Sequence, residues 1–339
     1  MADTALAPVR AHAHAHAHAG RRRLIDAVER SRRAPMRAVL LGCGVVNGGL
    51  GGLIPEGVEI VAVLARRVRP EGVLGAPVFT DPDAVFALKP DLVIEALPGG
   101  GLAERLLERA VNAGCHVITA NKDVAARRPD LVRRAEAQGL VFACSAAVGG
   151  GAPVLETVQA LAETGAGLMR ARGVLNGTSN FVLDRVLRGE PLDAAVTAAQ
   201  AAGFAEADPS ADLDGLDAAN KLALIARAAW GVELDPGEIE ARSITELTLT
   251  EIEAARAAGR VIRQVALVSR SPAGVKARVR LDALGLDDPL ARTKDEGNCV
   301  VLTPECGARV IVAGKGAGRG PTAASMAADL KRLSKAVCP

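Results

Sequence analysis

The sequence predicts a mixed α/β protein in which a doubly wound parallel sheet is followed by a second, α+β part. Three observations lead there. Short apolar runs alternate with helical patterns from residue 37 to about 147. The first of those runs ends in the glycines Gly42 and Gly44. Beyond residue 148 the rhythm changes to helices broken by polar, acid-rich turns, with strand-like stretches toward the C-terminus.

Residues 1–35 stand apart from this pattern. Ala, Arg and His dominate them, and four of the five histidines lie in the tract at positions 12, 14, 16 and 18. A non-native start upstream of Met36, a disordered natural extension and an Arg-rich targeting peptide all match that composition, the last interrupted by Asp3, Asp26 and Glu29. Residues 37–42 then read as a buried strand, followed by Gly42-Cys43-Gly44-Val45-Val46-Asn47-Gly48. A strand, a glycine turn and a helix is the context in which backbone N–H groups approach a pyrophosphate. Gly42, Gly44, Val45 and Val46 are therefore candidate cofactor contacts, although Asn47 stands at the third glycine position. A glycine-rich turn without function is the competing reading.

The next strand, Val58–Leu64, ends about 20 residues on, where an acid would mark a ribose diol. Arg66 and Arg67 stand there instead, and a guanidinium suits a 2′-phosphate. NADP(H) is thus favoured, with NAD(H) as the alternative and a solvated basic loop as the reading without function. Strands over 91–96 and 115–120 follow, separated by a helix containing Ala103 to Ala113. The second ends at Asn121-Lys122-Asp123, and ligands bind beyond the carboxyl ends of such strands, so Lys122 is either a ligand contact or a surface lysine. His116 lies mid-strand and reads as a core histidine.

A last strand over 140–144 leads into Val148-Gly149-Gly150-Gly151-Ala152, whose bare backbone suits close approach of a ligand, an ion or another segment, or an interdomain hinge. Asn176-Gly177-Thr178-Ser179-Asn180 precedes a helix over 181–187; Asn176 and Thr178 could cap it or hold a small polar ligand. The most informative stretch is Gly203–Lys221. It crowds Glu206, Asp208, Asp212, Asp214 and Asp217 before a lysine and an apolar run. Carboxylates at that density repel one another and call for a cation. Calcium is a poor choice, because Lys221 falls where an EF-hand loop needs a bidentate glutamate. A helix from about Asp214 to Trp230, stopped by Gly231, places Asp217 and Lys221 one turn apart. That pair is either a routine surface ion pair or a site. The apolar neighbours of Lys221 favour a site, since a buried amine needs a partner. Farther on, the pattern predicts a helix over 246–258, strands near 264–268 and 276–281, and a helix over 321–335.

Composition narrows the chemistry. The formal charge of +2 gives no reason to expect nucleic acid, and no run reaches the ~20 residues of a membrane span. The six cysteines form no C-x-x-C pair, which points to a reducing, cytoplasmic setting. There is no tyrosine, and His116 is the one histidine outside the N-terminal tract, so proton transfer falls to lysine or a carboxylate.

VLLGCGVVNGG, VITANKDV, AVGGGAPVLETV, GVLNGTSNFVL, GFAEADPSADLDGLDAANKLALIA and GKGAGRGPTAASMAADL together resemble homoserine dehydrogenase over residues 37–337. The resemblance implies a Rossmann-type domain over 37–147, with 317–339 packing back onto it. It also implies a substrate and dimerisation domain over 148–316 and a homodimer. The implied reaction is NAD(P)-dependent interconversion of L-homoserine and L-aspartate 4-semialdehyde, in threonine and methionine biosynthesis. Carried across by motif, Lys221 is the proton donor and acceptor and Asp217 its partner. Glu206 and Asp212 hold the substrate ammonium, and Lys122 stands between cofactor and substrate. Gly203 and Gly316 match cofactor-contacting glycines. Many relatives bind a sodium-like monovalent cation with a glutamate and main-chain carbonyls. Here Val148, Gly150 and Ala152 could offer the carbonyls, but Ser145 replaces the glutamate and weakens the case. The chain stops at Pro339, so a C-terminal regulatory domain is not expected. Competing functions are another Rossmann-domain semialdehyde or imine reductase, a thioester-forming dehydrogenase using Cys144 or Cys299, and a non-catalytic NADP(H)-binding protein.

Overall fold

A computed structural model of the chain describes residues 34–98, 100–316 and 319–337. Apart from Pro35 and its neighbour at 34, the N-terminal extension lies outside the described residues. The first part is a six-stranded parallel sheet of order β3-β2-β1-β4-β5-β6. Its strands are β1 (Met36–Leu41), β2 (Val58–Leu64), β3 (Val78–Phe79), β4 (Leu92–Glu95), β5 (His116–Thr119) and β6 (Phe142–Ala143). The order reverses between β1 and β4, which is the switch point where such sheets open a crevice at the strands' carboxyl ends.

The strands carry almost unbroken apolar runs because both faces are covered. On one face Val39, Leu41, Val93 and Val117 pack against α2 (Pro82–Ala87), α3 (Gly101–Asn112), α4 (Lys122–Arg127) and α5 (Pro129–Ala137), which follow the one-turn α1 (Val45–Gly48). On the other, Ala38, Leu40, Ile94 and Ile118 meet the far end of the chain, through Ala323, Met326, Ala327, Leu330 and Leu333. The helix expected after the glycine turn is therefore a single turn. Gly48, Gly49, Gly51 and Gly52 are poor helix formers, and the C-terminal helix covers the face that a longer helix would have taken. Asn47 supports the turn: its amide donates to the carbonyls of Leu41 (3.1 Å) and Gly42 (2.8 Å).

The second part follows α6 (Val154–Glu163). It is a mixed six-stranded sheet of order β12-β11-β7-β9-β10-β8, built from β7 (Leu168–Val174), β8 (Glu240–Ala241), β9 (Arg260–Ser271), β10 (Gly274–Gly285), β11 (Gly297–Pro304) and β12 (Val310–Lys315). The helices α7 (Gly177–Leu187), α8 (Leu192–Ala201), α9 (Ser210–Leu213), α10 (Leu216–Trp230) and α11 (Leu249–Ala257) come between these strands, and α12 (Arg319–Val337) returns to the first sheet. One face of the second sheet buries Ala266, Val268, Val279, Val300 and Leu302 against α6 and α10. The expected strands near 264–268 and 276–281 prove to be the centre of a longer hairpin, paired from Arg260↔Gly285 to Ser271↔Gly274. The helix expected over 246–258 begins at Leu249, because Thr248 and Glu251 form a capping box. Among the described residues no helix is long and apolar enough to cross a membrane.

Candidate active site

The site forms where α10 meets the carboxyl end of β5. Gly215 stands ahead of α10 in the left-handed region (φ +81°), and a Cβ there would lie 3.1 Å from Val279 Cγ1. Glycine thus lets the acidic loop close onto the second sheet and start the helix at Leu216 rather than at Asp214. Asp214 does not cap that helix; its carboxylate accepts from the Ser243 hydroxyl at 2.7 Å. Asp208 does stabilise a turn, accepting from the Ser210 N–H.

One helical turn separates Asp217 and Lys221, and Lys221 Nζ lies 2.7 Å from Asp217 Oδ2. Both are buried, at 2% and 7% exposure, so this is no surface pair. Lys221 Nζ also donates to the Leu175 carbonyl at 2.5 Å. Lys122, the first residue of α4, brings its Nζ to 2.5 Å from the other oxygen of Asp217. Asn176 completes the set: its amide donates to Asp212 Oδ1 (2.6 Å) and Asp217 Oδ2 (2.7 Å), while its oxygen caps α7 by accepting from the Ser179 N–H. Asn176 therefore caps the helix, one of the two roles its position allowed, and it also orients the two carboxylates, which its position did not foretell.

The charges in this cluster are pushed apart. Burial opposes ionisation of Asp217, but the Lys221 and Lys122 ammoniums overcome it and hold the carboxyl well below the usual range. Asp212, by contrast, is raised by burial and by the nearby Asp217 charge, only partly offset by Asn176 and the charges of Lys122 and Lys221. Burial also works against a charge on Lys122, yet Asp217, with help from Asp123 and Asp212, raises it overall.

A cavity of about 1010 Å³ opens on this cluster. Lys122, Asn176, Thr178, Gly203, Glu206, Asp212, Asp217, Lys221 and Gly316 all line it. Glu206 is exposed at the rim, and the Thr178 hydroxyl is engaged by the Phe204 carbonyl at 2.5 Å. Gly42, Gly44, Val45 and Val46 lie instead at the carboxyl end of β1, and Arg66 and Arg67 are exposed just past β2. The loop after β4 connects the two regions: Ala96 O would lie 3.0 Å from a Cβ on Gly42 (φ +96°), while Gly100 and Gly101 reach the cavity wall. Nothing lies within 4 Å of the Cβ position of Gly44, so that side of the turn faces open space.

Val148, Gly150 and Ala152 are buried at the joint between the two parts. The Gly150 carbonyl accepts from Ser325 Oγ and that of Ala152 from the Val154 N–H. Ser145 spends its N–H and hydroxyl on Asp329, at 2.9 and 2.6 Å. The two candidate cysteines are not poised: burial pushes the Cys144 thiol up to about 12 and raises Cys299 as well, which is the reverse of the lowered thiol a thioester route requires. His116 serves the sheet, its Nδ1 accepting from the Val141 N–H at 3.0 Å.

Two further contributors leave little trace in the amino-acid sequence. The Leu175 carbonyl is a backbone acceptor and carries no side-chain signal. Asn220 donates to Asp123 at 3.0 Å, tying α10 to α4 across 97 positions of sequence; only its place one residue before Lys221 could have drawn notice.

A family model described as homoserine dehydrogenase matches residues 153–330, and one described as the NAD-binding domain of homoserine dehydrogenase matches residues 42–144. The homoserine dehydrogenase of Pseudomonas aeruginosa is 31% identical over 323 residues, covering 89% of this chain and 73% of that one. That of Synechocystis is 34% identical over 312 residues, covering 86% and 71%. Among solved structures, a homoserine dehydrogenase from Thiobacillus denitrificans superposes with a TM-score of 0.81 at 30% identity, covering 90% of this chain and 75% of its own. A hyperthermophilic archaeal homoserine dehydrogenase in complex with NADPH shares the fold, with a TM-score of 0.75 at 23% identity over 89% of this chain and 98% of that one.

Replacing Asp217 by Asn leaves two ammoniums without their shared counter-charge. Urea denaturation should show a loss of about 3–5 kcal/mol at neutral pH. Because the folded carboxyl is depressed, that difference should persist down to about pH 4 and shrink as acid protonates Asp217 in the parent. A loss under about 1 kcal/mol would show that the carboxylate does not hold the lysines together.

Proposed function

The chain belongs to the homoserine dehydrogenase family, and on that premise we propose that Lys221 moves the proton in the NAD(P)-dependent interconversion of L-homoserine and L-aspartate 4-semialdehyde. One observation carries this reading. Of the three N–H donors of the Lys221 ammonium, two are committed, to Leu175 O and Asp217 Oδ2, and the third is left for a ligand in the cavity. A donor held in place on two sides needs little reorganisation when charge develops on the substrate oxygen.

When bound, the nicotinamide cofactor supplies a hydride to the aldehyde carbon or takes one from the alcohol. The residues of this chain do the rest. During reduction Lys221 donates its free N–H to the developing alkoxide and delivers the proton; during oxidation it takes the proton back. Asp217 fixes its position and, by its negative charge, favours the protonated amine. Glu206 and Asp212 receive the substrate ammonium, with Asn176 aiming Asp212, and Lys122 supplies positive charge on the cofactor side of the cleft.

The residues present fit a dinucleotide. Gly42 sits where a side chain would collide with Ala96, and Gly44 leaves backbone bare beside Val45 and Val46; these would hold the pyrophosphate. Gly203 and Gly316 line the cavity and would contact the cofactor from the other side. NADP(H) is the preferred form in this reading. Arg66 and Arg67 are exposed past β2 and engaged by no carboxylate among the described residues, free to take a 2′-phosphate. A sodium-like ion fits less well: the Gly150 and Ala152 carbonyls already accept hydrogen bonds and Ser145 is committed to Asp329.

NADPH oxidation with L-aspartate 4-semialdehyde tests the assignment directly. The parent should turn over, and Lys221→Ala, correctly folded, should lose about a hundredfold or more in kcat; near-normal turnover by the variant would end the role given to Lys221. In the same assay the Arg66→Ala/Arg67→Ala double variant should raise KM for NADPH about tenfold while leaving NADH little changed, and equal effects on both would remove the 2′-phosphate role. Acidification should lower kcat/KM for the semialdehyde as Asp212 gains a proton. Since its carboxyl is raised, the fall should begin above the ordinary aspartate value of about 3.9. An inflection unchanged in Asp212→Asn would assign it elsewhere.

A further inference from the structure

Glu95, the last residue of β4, is a buried carboxylate with no part in the proton-transfer scheme. It has no exposure to solvent, and every partner it has among the described residues is a neutral donor. One oxygen accepts from the Leu97 N–H at 2.6 Å, and the other from the Thr119 hydroxyl on the neighbouring strand β5. An unpaired buried acid is costly, so a leucine or a glutamine would be the cheaper choice if the position served packing alone.

The bonds continue outward from Thr119. Its hydroxyl oxygen also accepts from the Asn121 N–H at 2.9 Å. Asn121 in turn caps α4, its Oδ1 accepting from the Val124 N–H. Lys122 is the first residue of that helix, and its ammonium meets Asp217 at 2.5 Å. A relay of hydrogen bonds thus runs from Glu95 at the switch point of the sheet to the turn that carries Lys122. Through Leu97 the same carboxylate holds the start of the loop that leads to Gly100 and Gly101, which also line the cavity.

We propose that Glu95 and Thr119 are positioning residues for Lys122, fixing the first turn of α4 so that the ammonium reaches both Asp217 and the substrate cleft. This rests on the placement of Lys122 at the substrate site. A charged group suits that role because a carboxylate only accepts. It forces the Thr119 hydroxyl to point at Glu95 and leaves that oxygen's lone pairs for the Asn121 N–H. A displacement of the turn by a fraction of an ångström would pull Nζ away from its geometry without unfolding the sheet.

Thr119→Val, Thr119→Ser and Glu95→Gln, each made in the parent and in Lys122→Ala, test this. Thr119→Val should lower kcat/KM for the semialdehyde about tenfold, with Thr119→Ser restored to the parent level. In the Lys122→Ala background Thr119→Val should have no further effect, because the group it positions is gone. Glu95→Gln should behave alike with a smaller loss, and it stands in if the valine variant does not fold. Equal fold-losses in both backgrounds, or a serine variant as poor as the valine one, would make the relay a structural feature only and overturn the proposal. If Lys122→Ala itself leaves kcat/KM unchanged, the placement of Lys122 is what fails.

Discussion

The Asp217 carboxylate, itself almost fully buried and clasped between two ammoniums, is the contact on which the rest depends. A carboxylate at 2% exposure is stable only with its charge matched, and each of its oxygens meets a lysine within 2.7 Å. The two lysines come from different places. Lys221 is one turn along the same helix, so its distance is set by helical geometry alone. Lys122 stands at the end of a strand in the other sheet, so its distance is set by how the two parts of the molecule dock. The ion cluster is therefore both chemistry and a gauge of the cleft.

Other contacts hold that docking in place so that the gauge stays true. Asn220 and Asp123 tie α10 to α4 beside the cluster. At the far side, α12 packs its apolar stripe onto the first sheet and reaches back to the glycine turn through Ser325 with Gly150 and Glu156, and through Asp329 with Ser145. The segment leaving β12 thus re-enters the first part, and the chain crosses between the two parts twice. Two crossings constrain relative rotation more than one would, which suits a site that must hold hydride donor and proton donor on either side of one carbon.

Much of this was legible from residue types. The parallel strands read clearly because they are buried on both faces, and Val58–Leu64 appears with its bounds unchanged. Gly231, left-handed at the end of α10, is the stop its position implied. The hairpin β9–β10 read short because its ends carry charge: Arg260, Arg263, Arg270 and Asp282 break the apolar pattern, although Arg263 is buried against Asp184 at 2.9 Å. Pairing across the hairpin decides that strand length, and its open end joins Arg260 to Gly285, 25 positions away in sequence. Asn220 with Asp123, and the Leu175 carbonyl, stayed hidden for the same reason. They are made by docking, whereas Asp217 and Lys221 are made by one turn of helix.

The acid-rich loop resolves by the direction in which each carboxyl is pushed. Asp217 is depressed because two fixed ammoniums already neutralise it, so it has no charge to offer a ligand. Asp212 is raised because burial and that same negative group outweigh the Asn176 amide and the more distant pull of the two lysines. An incoming ammonium therefore gains more by meeting Asp212 than Asp217, and it relieves the repulsion between the two acids as it binds. Two carboxylates bridged by one asparagine are thus set apart, one already neutralised by the chain's own cations and the other not, which supports the substrate-ammonium role proposed for Asp212.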